Sequence, residues 1–261
     1  MEEKTIGIVG GLGPYAGYYL ANRILDQTKV ALEQDHIPAI CFSMPGQVSD
    51  RTDFLSGKVA DNPADGIYNI IKKMETAGVN VAGICCNTAH APQIYNKIIR
   101  NMERENCKIK LLHMIEEVIR FIKVYFYGIE RIGILSTKAA VHAGVYSDVI
   151  KSAGLTPVVP SEDVCEMIDE CIYHNHYGIK LNFNPSMDFM KEKIMKGIEH
   201  LIYHHAEAVI LGCTELPLIV SEKMIQGRPV IDSSLVLARA LIRETMPERL
   251  ISWPDLRQER L

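Results

Sequence analysis

What this chain lacks narrows its chemistry first. Its seven cysteines are an odd number and form no C-x-x-C pair, which argues against a disulfide framework or a zinc ribbon. His174-Asn175-His176 and His204-His205 have no carboxylate or cysteine at ligand spacing, so no metal site is expected. No run approaches the roughly 18 consecutive apolar residues of a membrane span. The charged opening Met1-Glu2-Glu3-Lys4, with a glycine-broken apolar run after it, does not read as a secretory signal. Lys and Arg number 28 against 32 Asp and Glu, and they are dispersed. That excludes the basic footprint of a nucleic-acid binder and a basic membrane patch. There is no G-x-S-x-G elbow, no P-loop and no Ser/Gly/Pro-rich linker. A reducing, cytoplasmic setting fits this cysteine usage.

Of the 261 residues, 48% are hydrophobic and 23% charged, enough for a sizeable core in one large α/β domain or two modest ones. Two segments repeat. Thr5-Ile6-Gly7-Ile8-Val9-Gly10 returns as Arg131-Ile132-Gly133-Ile134-Leu135-Ser136, 126 residues later. Val81-Ala82-Gly83-Ile84-Cys85-Cys86 returns in Ala208-Val209-Ile210-Leu211-Gly212-Cys213, with Cys86 and Cys213 offset by 127. So nearly constant a frame implies two similar halves, each presenting a thiol just beyond a buried strand.

Between these anchors the pattern alternates strand and helix. Strands are expected at Lys4–Val9, Ile37–Phe42, Val79–Cys85, Arg131–Leu135, Thr156–Val159, Ala208–Leu211 and Arg228–Asp232. Helices are expected from Ala16 to about Lys29, from the Asn62-Pro63 cap to Gly78, over Ala143–Ala153, near Met187–His205 and over Leu235–Arg243. This rhythm predicts an α/β fold of two pseudo-symmetric three-layer domains, each with a mainly parallel sheet, and a site in the cleft between them. The expected division is 1–112 plus 229–261 for the first domain and 113–228 for the second, the last strand and helix returning to the first.

Gly11-Leu12-Gly13-Pro14-Tyr15-Ala16 satisfies G-x-G-x-x-A, but Phe42, Ser43 and Met44 stand where a ribose-binding acid belongs, and Pro14 removes an amide. A tight turn, or backbone amides at Gly13 and Pro14 holding a small carboxylate, is the better reading. Cys86 precedes Asn87-Thr88-Ala89-His90 and Cys213 precedes Thr214-Glu215-Leu216-Pro217. Each thiol therefore lies at the carboxyl edge of a sheet, where ligands of α/β proteins bind and where amides favour thiolate. Asn87, Thr88 and Thr214 are short polar donors suited to a carboxylate. One such cysteine would ordinarily be a small buried hydrophobe, as Cys41, Cys85, Cys107, Cys165 and Cys171 are taken to be. Two in matching frames are not so easily dismissed. His90, one turn beyond Cys86, either tunes it or caps and packs.

Gly7-Ile8-Val9-Gly10-Gly11-Leu12-Gly13-Pro14, Cys86-Asn87-Thr88-Ala89-His90 and Leu211-Gly212-Cys213-Thr214-Glu215-Leu216-Pro217 resemble the three signature segments of the aspartate/glutamate racemase family. They are more similar to its aspartate racemase branch. The resemblance implies an amino-acid racemase that needs no cofactor and interconverts L- and D-aspartate or a related acidic amino acid. Cys86 and Cys213 would be the acid/base pair, and Asn87, Thr88 and Ala89 would bind substrate. By the same resemblance Lys180 would match a substrate-binding lysine, Thr137 would line the cleft, and Gly13, Pro14, Thr214 and Glu215 would complete the contacts. The branch usually carries an arginine where this chain has Gln47. Either Arg51 or Lys180 supplies that charge or the substrate is not aspartate, and Arg51 also reads as a solvated loop residue. The rivals are an isomerase or decarboxylase of the same superfamily and a non-catalytic binder of small acids. The expected partner is the amino-acid substrate, with no nucleic acid and no membrane, and the assembly is a monomer or a homodimer.

Overall fold

The computed structural model describes residues 4–181 and 188–253; Met187, Met1-Glu2-Glu3 and residues 254–261, which entered the expectations above, lie outside them. The first half runs β1 (Thr5–Gly10), α1 (Pro14–Asp26), β2 (Ala39–Ser43), α2 (Arg51–Leu55), α3 (Pro63–Thr76), β3 (Val79–Ile84), α4 (Pro92–Arg104) and β4 (Lys110–Leu112). It is followed by α5 (Met114–Tyr125), β5 (Arg131–Leu135), α6 (Lys138–His142), α7 (Ser147–Ser152), β6 (Thr156–Val158), α8 (Glu162–Tyr173) and α9 (Asp188–Tyr203). The described chain ends with β7 (Ala208–Leu211), β8 (Met224–Ile225), β9 (Arg228–Asp232) and α10 (Ser233–Thr245).

The first sheet has the order β2-β1-β3-β4, all parallel. The second has the order β6-β5-β7-β9-β8, and its first four strands are parallel in the same arrangement as the first sheet. Only β8 runs antiparallel, on the edge beside β9. The repeat seen in the sequence is therefore a repeat of topology: β5 stands for β1 and β7 for β3. Helices α1 and α10 cover one face of the first sheet and α3 and α4 the other, giving three layers.

In the second sheet the period-two alternation of strands divides the core. Leu135, Val209, Leu211 and Val230 face α8 and α9 and form one apolar cluster. Ile132, Ile134, Ala208, Ile210 and Ile231 point the other way and join a cluster continuous with the whole first half. The halves thus share a core, which accounts for the absence of a linker.

Local signals explain most elements. Asn62 accepts the Ala64 N–H and Pro63 follows it, a cap worth about 1 kcal/mol. Ile67, Ile70, Ile71 and Met74 then bury one face of α3, each contributing roughly 1.5–3 kcal/mol. Two expectations need correction. The single helix over Ala143–Ala153 is instead α6 and α7, because Thr137 caps α6 early and Gly144, with φ +66°, takes a left-handed turn between them. The strand at Arg228–Asp232 does not return to the first half: it pairs with β7, where Val230 and Ile231 are covered on opposite faces. The return is made by α10, which packs on α1 and α5, and by the residues after it, where Leu250 bridges Thr28.

Candidate active site

Buried polar side chains locate the site. Among the described residues they are Arg51, Asn87, Thr88, His90, Ser136, Thr137, Thr214, Glu215, Ser233 and Ser234, with Thr28, Asn101 and Arg239 apart. The first ten all follow the carboxyl ends of β2, β3, β5, β7 or β9. A protein interior accepts so many polar groups only where they are satisfied or have a ligand to meet. Both cysteines belong to this cluster, each 6% exposed.

Cys86 ends the extended segment after β3 and opens the short turn Asn87–His90. Opposite it stands Arg51, at the first position of α2. Asp50 caps that helix by accepting the N–H groups of Thr52 and Asp53, which turns Arg51 inward. The guanidinium donates to Leu12 O at 2.7 Å and to Ser49 O at 3.4 Å, while its Nε is buried with no partner. Burial works against its charge, but Cys86 and Asp50 nearby hold it above the ordinary arginine value. Arg51 is therefore not a solvated loop residue; it is the cation beside the first thiol.

Cys213 has a different neighbour. Its Sγ donates to Glu215 Oε2 at 2.9 Å, and Thr214 Oγ1 donates to the same oxygen at 3.2 Å. Burial, and then the Glu215 carboxylate, push the Cys213 thiol well above its usual range, with Lys180 pulling the other way. Glu215 Oε1 is buried without a partner and crowds Gly13, where a Cβ would collide with it. Gly13 sits at φ +129° at the start of α1, so the glycine-rich turn makes room for a carboxylate of the opposite half. Lys180 lies half-buried beyond Ile179, its Nζ 3.3 Å from Tyr173 Oη and 4.4 Å from that ring's centre. Burial opposes its charge, yet Tyr173, Glu215 and Cys213 together raise it.

The remaining candidates separate clearly. Asn87 is locked between Tyr146 and Ser233, Thr88 and Ala89 are buried behind Cys86, and Thr137 accepts the Ala140 N–H. Gln47 does not join them. It is exposed, and its side-chain oxygen accepts from Lys73 Nζ at 2.8 Å. His90 is a packing residue: Met114 N–H donates to its Nε2, so Nδ1 carries the proton given to Cys86 O at 2.9 Å. Burial, with His113 alongside, pushes its pKa down to about 3, so it stays neutral. Cys85 is the buried hydrophobe expected of it, its Sγ donating to Ala16 O.

Sequence reasoning passed over Tyr146, Tyr173, Thr52 and Ser233. Thr52 and Tyr173 meet at 2.7 Å across the two halves. Ser233 was within reach, since it follows the fourth parallel strand as Asn87 follows the third. The two tyrosines carry no local signal at all.

The profile of the Asp/Glu/Hydantoin racemase family matches residues 9–241. The broad specificity amino-acid racemase RacX of Bacillus subtilis (strain 168) is 24% identical over 254 residues, covering 91% of this chain and 96% of that protein. Among solved structures, the aspartate racemase of Picrophilus torridus is 28% identical with a TM-score of 0.76, covering 93% of this chain and 94% of its own. An aspartate racemase homologue from Pyrococcus horikoshii OT3 shares the fold at 24% identity and TM-score 0.67, covering 93% and 99%.

Proposed function

The chain belongs to the Asp/Glu/hydantoin racemase family, and from that premise we propose that it racemises aspartate or a related acidic amino acid through Cys86 and Cys213, without pyridoxal phosphate. One observation carries the reading: the residues after β3 and β7, equivalent strands of two like sheets, are both enclosed thiols, one beside a cation and one beside a carboxylate.

The α-hydrogen of an amino acid is a very weak acid, so the carbanion must be stabilised as it forms. Arg51 is the group we assign to the substrate carboxylate, its unpartnered Nε included. Lys180 is the second cation, suited to a side-chain carboxylate, and the unpartnered Glu215 Oε1 suits the substrate ammonium. The thiolate of Cys86 takes the α-proton from one face, and the C–H electron pair passes into the carboxylate as an enediolate. Cys213 gives its S–H proton to the opposite face. Cys86 is left as thiol and Cys213 as thiolate, and the reverse reaction starts from there.

The geometry supports this order in the resting enzyme. The cation Arg51 stands beside Cys86, the sulfur assigned as base, whereas a thiol donating to Glu215 is the acid form of Cys213. Lys180 offsets the charge that appears on Cys213 after proton delivery.

The test is a panel of L-amino acids incubated in heavy water, followed by chiral separation and mass analysis. Expected is the D-enantiomer carrying α-deuterium, strongest for acidic side chains and indifferent to added pyridoxal phosphate. Loss of a carboxyl group, a rearranged carbon skeleton, or binding with no α-exchange would overturn the proposal.

A further inference from the structure

Behind the two thiols, a buried chain of hydrogen bonds joins the turn that carries one to the strand that carries the other. Tyr146 Oη donates to Asn87 Oδ1 at 2.6 Å, Asn87 Nδ2 donates to Ser233 Oγ at 3.2 Å, and Ser233 Oγ donates to Leu211 O at 3.0 Å. Its direction is forced. Leu211 O can only accept, so Ser233 must spend its proton there and accept from Asn87, which puts the amide nitrogen toward Ser233 and the amide oxygen toward Tyr146.

The three side chains are all but sealed from solvent. They come from three places: the segment between α6 and α7, the turn beyond β3, and the first residue of α10. Asn87 is the immediate neighbour of Cys86, and Leu211 lies two residues before Cys213. The Tyr146 ring also rests against Gly212, where a Cβ would stand 3.0 Å from its Cε2. One tyrosine therefore braces both cysteine-bearing segments, by its hydroxyl on one side and its ring on the other.

Buried polar networks of this kind add little net stability over apolar replacements, but they fix one arrangement of the groups they join. That matters here because one α-carbon has to be reached by sulfurs carried on two different sheets. We propose that Tyr146 and Ser233 are positioning residues which, through the Asn87 amide, hold the two thiols at the separation that serves a single α-carbon. This rests on the two-thiol reading above.

The consequence is specific. A loosened tie still lets one sulfur remove the α-proton, but it impairs delivery from the opposite face. The proton then returns from the side it left, after exchange with water. In Tyr146→Phe and Ser233→Ala, racemisation in heavy water should fall roughly 10–100-fold, the scale of a misplacement near 1 Å. Deuterium incorporation with retention should fall much less, so the ratio of exchange to racemisation rises. KM should stay within about twofold, the double variant should be no worse than the weaker single one, and Ser233→Thr, which keeps the hydroxyl, should recover the wild-type ratio. Should exchange and racemisation drop together, or the single effects multiply, these residues merely fill the core and the proposal fails. A wild type that exchanges no α-hydrogen with any amino acid would overturn the functional reading, and the positioning role with it. A wild type that racemises while the variants keep its ratio overturns the positioning role alone.

Discussion

The two halves of this molecule match in strand order and in the placing of a thiol, yet their charges are opposed. The first half sets beside Cys86 a guanidinium that is itself held by the carbonyls of Leu12 and Ser49. The second gives Cys213 a carboxylate to donate to, with an ammonium behind it. The proposed proton transfer needs one sulfur as base and the other as acid, and unlike neighbours distinguish the two. In that proposal, duplicated topology supplies the geometry and unlike neighbours supply the chemistry.

The comparison breaks most visibly when either sulfur is removed. Cys86→Ala and Cys213→Ala should each lower racemisation by at least about 10³-fold, because every turnover needs one acid and one base. Each variant should retain α-hydrogen exchange for only one enantiomer, and the two should retain opposite ones, read by NMR in heavy water. Substantial racemisation in Cys213→Ala would end the two-base scheme. The equilibrium constant of a racemisation is one, so kcat/KM is equal from both sides, and the asymmetry must be read in exchange or in kcat alone.

Removing the cation of the first half is the next largest step. Arg51→Gln should cost about 2–3 kcal/mol of kcat/KM, roughly 30–150-fold, the range of a charge-assisted hydrogen bond. Arg51→Lys should recover only part of this, since an ammonium lacks the fork that meets Leu12 O, Ser49 O and a carboxylate together. An Arg51→Gln enzyme with unchanged kinetics would move the substrate contact elsewhere.

Making the halves more alike sharpens the contrast. Cys213 is raised by burial and by Glu215, so at neutral pH it is a thiol, and its thiolate fraction grows about tenfold per pH unit below its pKa. kcat from the enantiomer that begins on Cys213, the one whose exchange survives Cys86→Ala, should therefore climb with pH through the ordinary thiol range. Glu215→Gln removes a negative neighbour, lowers that pKa and should shift the profile to lower pH. The expected change in kcat is roughly 10-fold, the scale of one pKa unit. His90, neutral above about pH 3, adds nothing to this profile. A Glu215→Gln profile superimposed on the wild type would remove Glu215 from any influence on Cys213.

How much of this was visible in the sequence follows from the range of each signal. Strands such as Val79–Ile84 and caps such as Asn62 are local: a continuous apolar run or a side chain bonding two residues ahead declares itself. The cysteines drew attention only because the chain repeats, so that each thiol vouched for the other as a candidate. Tyr146 and Tyr173 were invisible because their partners, Asn87 and Thr52, are 59 and 121 residues away. The fate of Arg228–Asp232 was likewise undetermined by pattern, since an apolar strand reads the same in either sheet and packing decided between them.

The smallest effect concerns the residue that the resemblance marked as a departure. Were Gln47 the missing carboxylate grip, Gln47→Arg would improve aspartate turnover mainly through KM. The structure points the other way. Gln47 is exposed and tethered to Lys73, while two cations already occupy the site from either half. A guanidinium at position 47 would instead stand beside Lys73 and be pushed toward solvent. Gln47→Arg should thus change kcat and KM for the preferred acidic amino acid by no more than about twofold, the usual span of a surface substitution. On the proposed reading aspartate need not be a poor substrate on account of Gln47, because Arg51 and Lys180 are the cations assigned to its carboxylates. A KM for aspartate that falls tenfold in Gln47→Arg would show that this loop reaches the substrate, and would make Arg51 a neighbour of Cys86 alone.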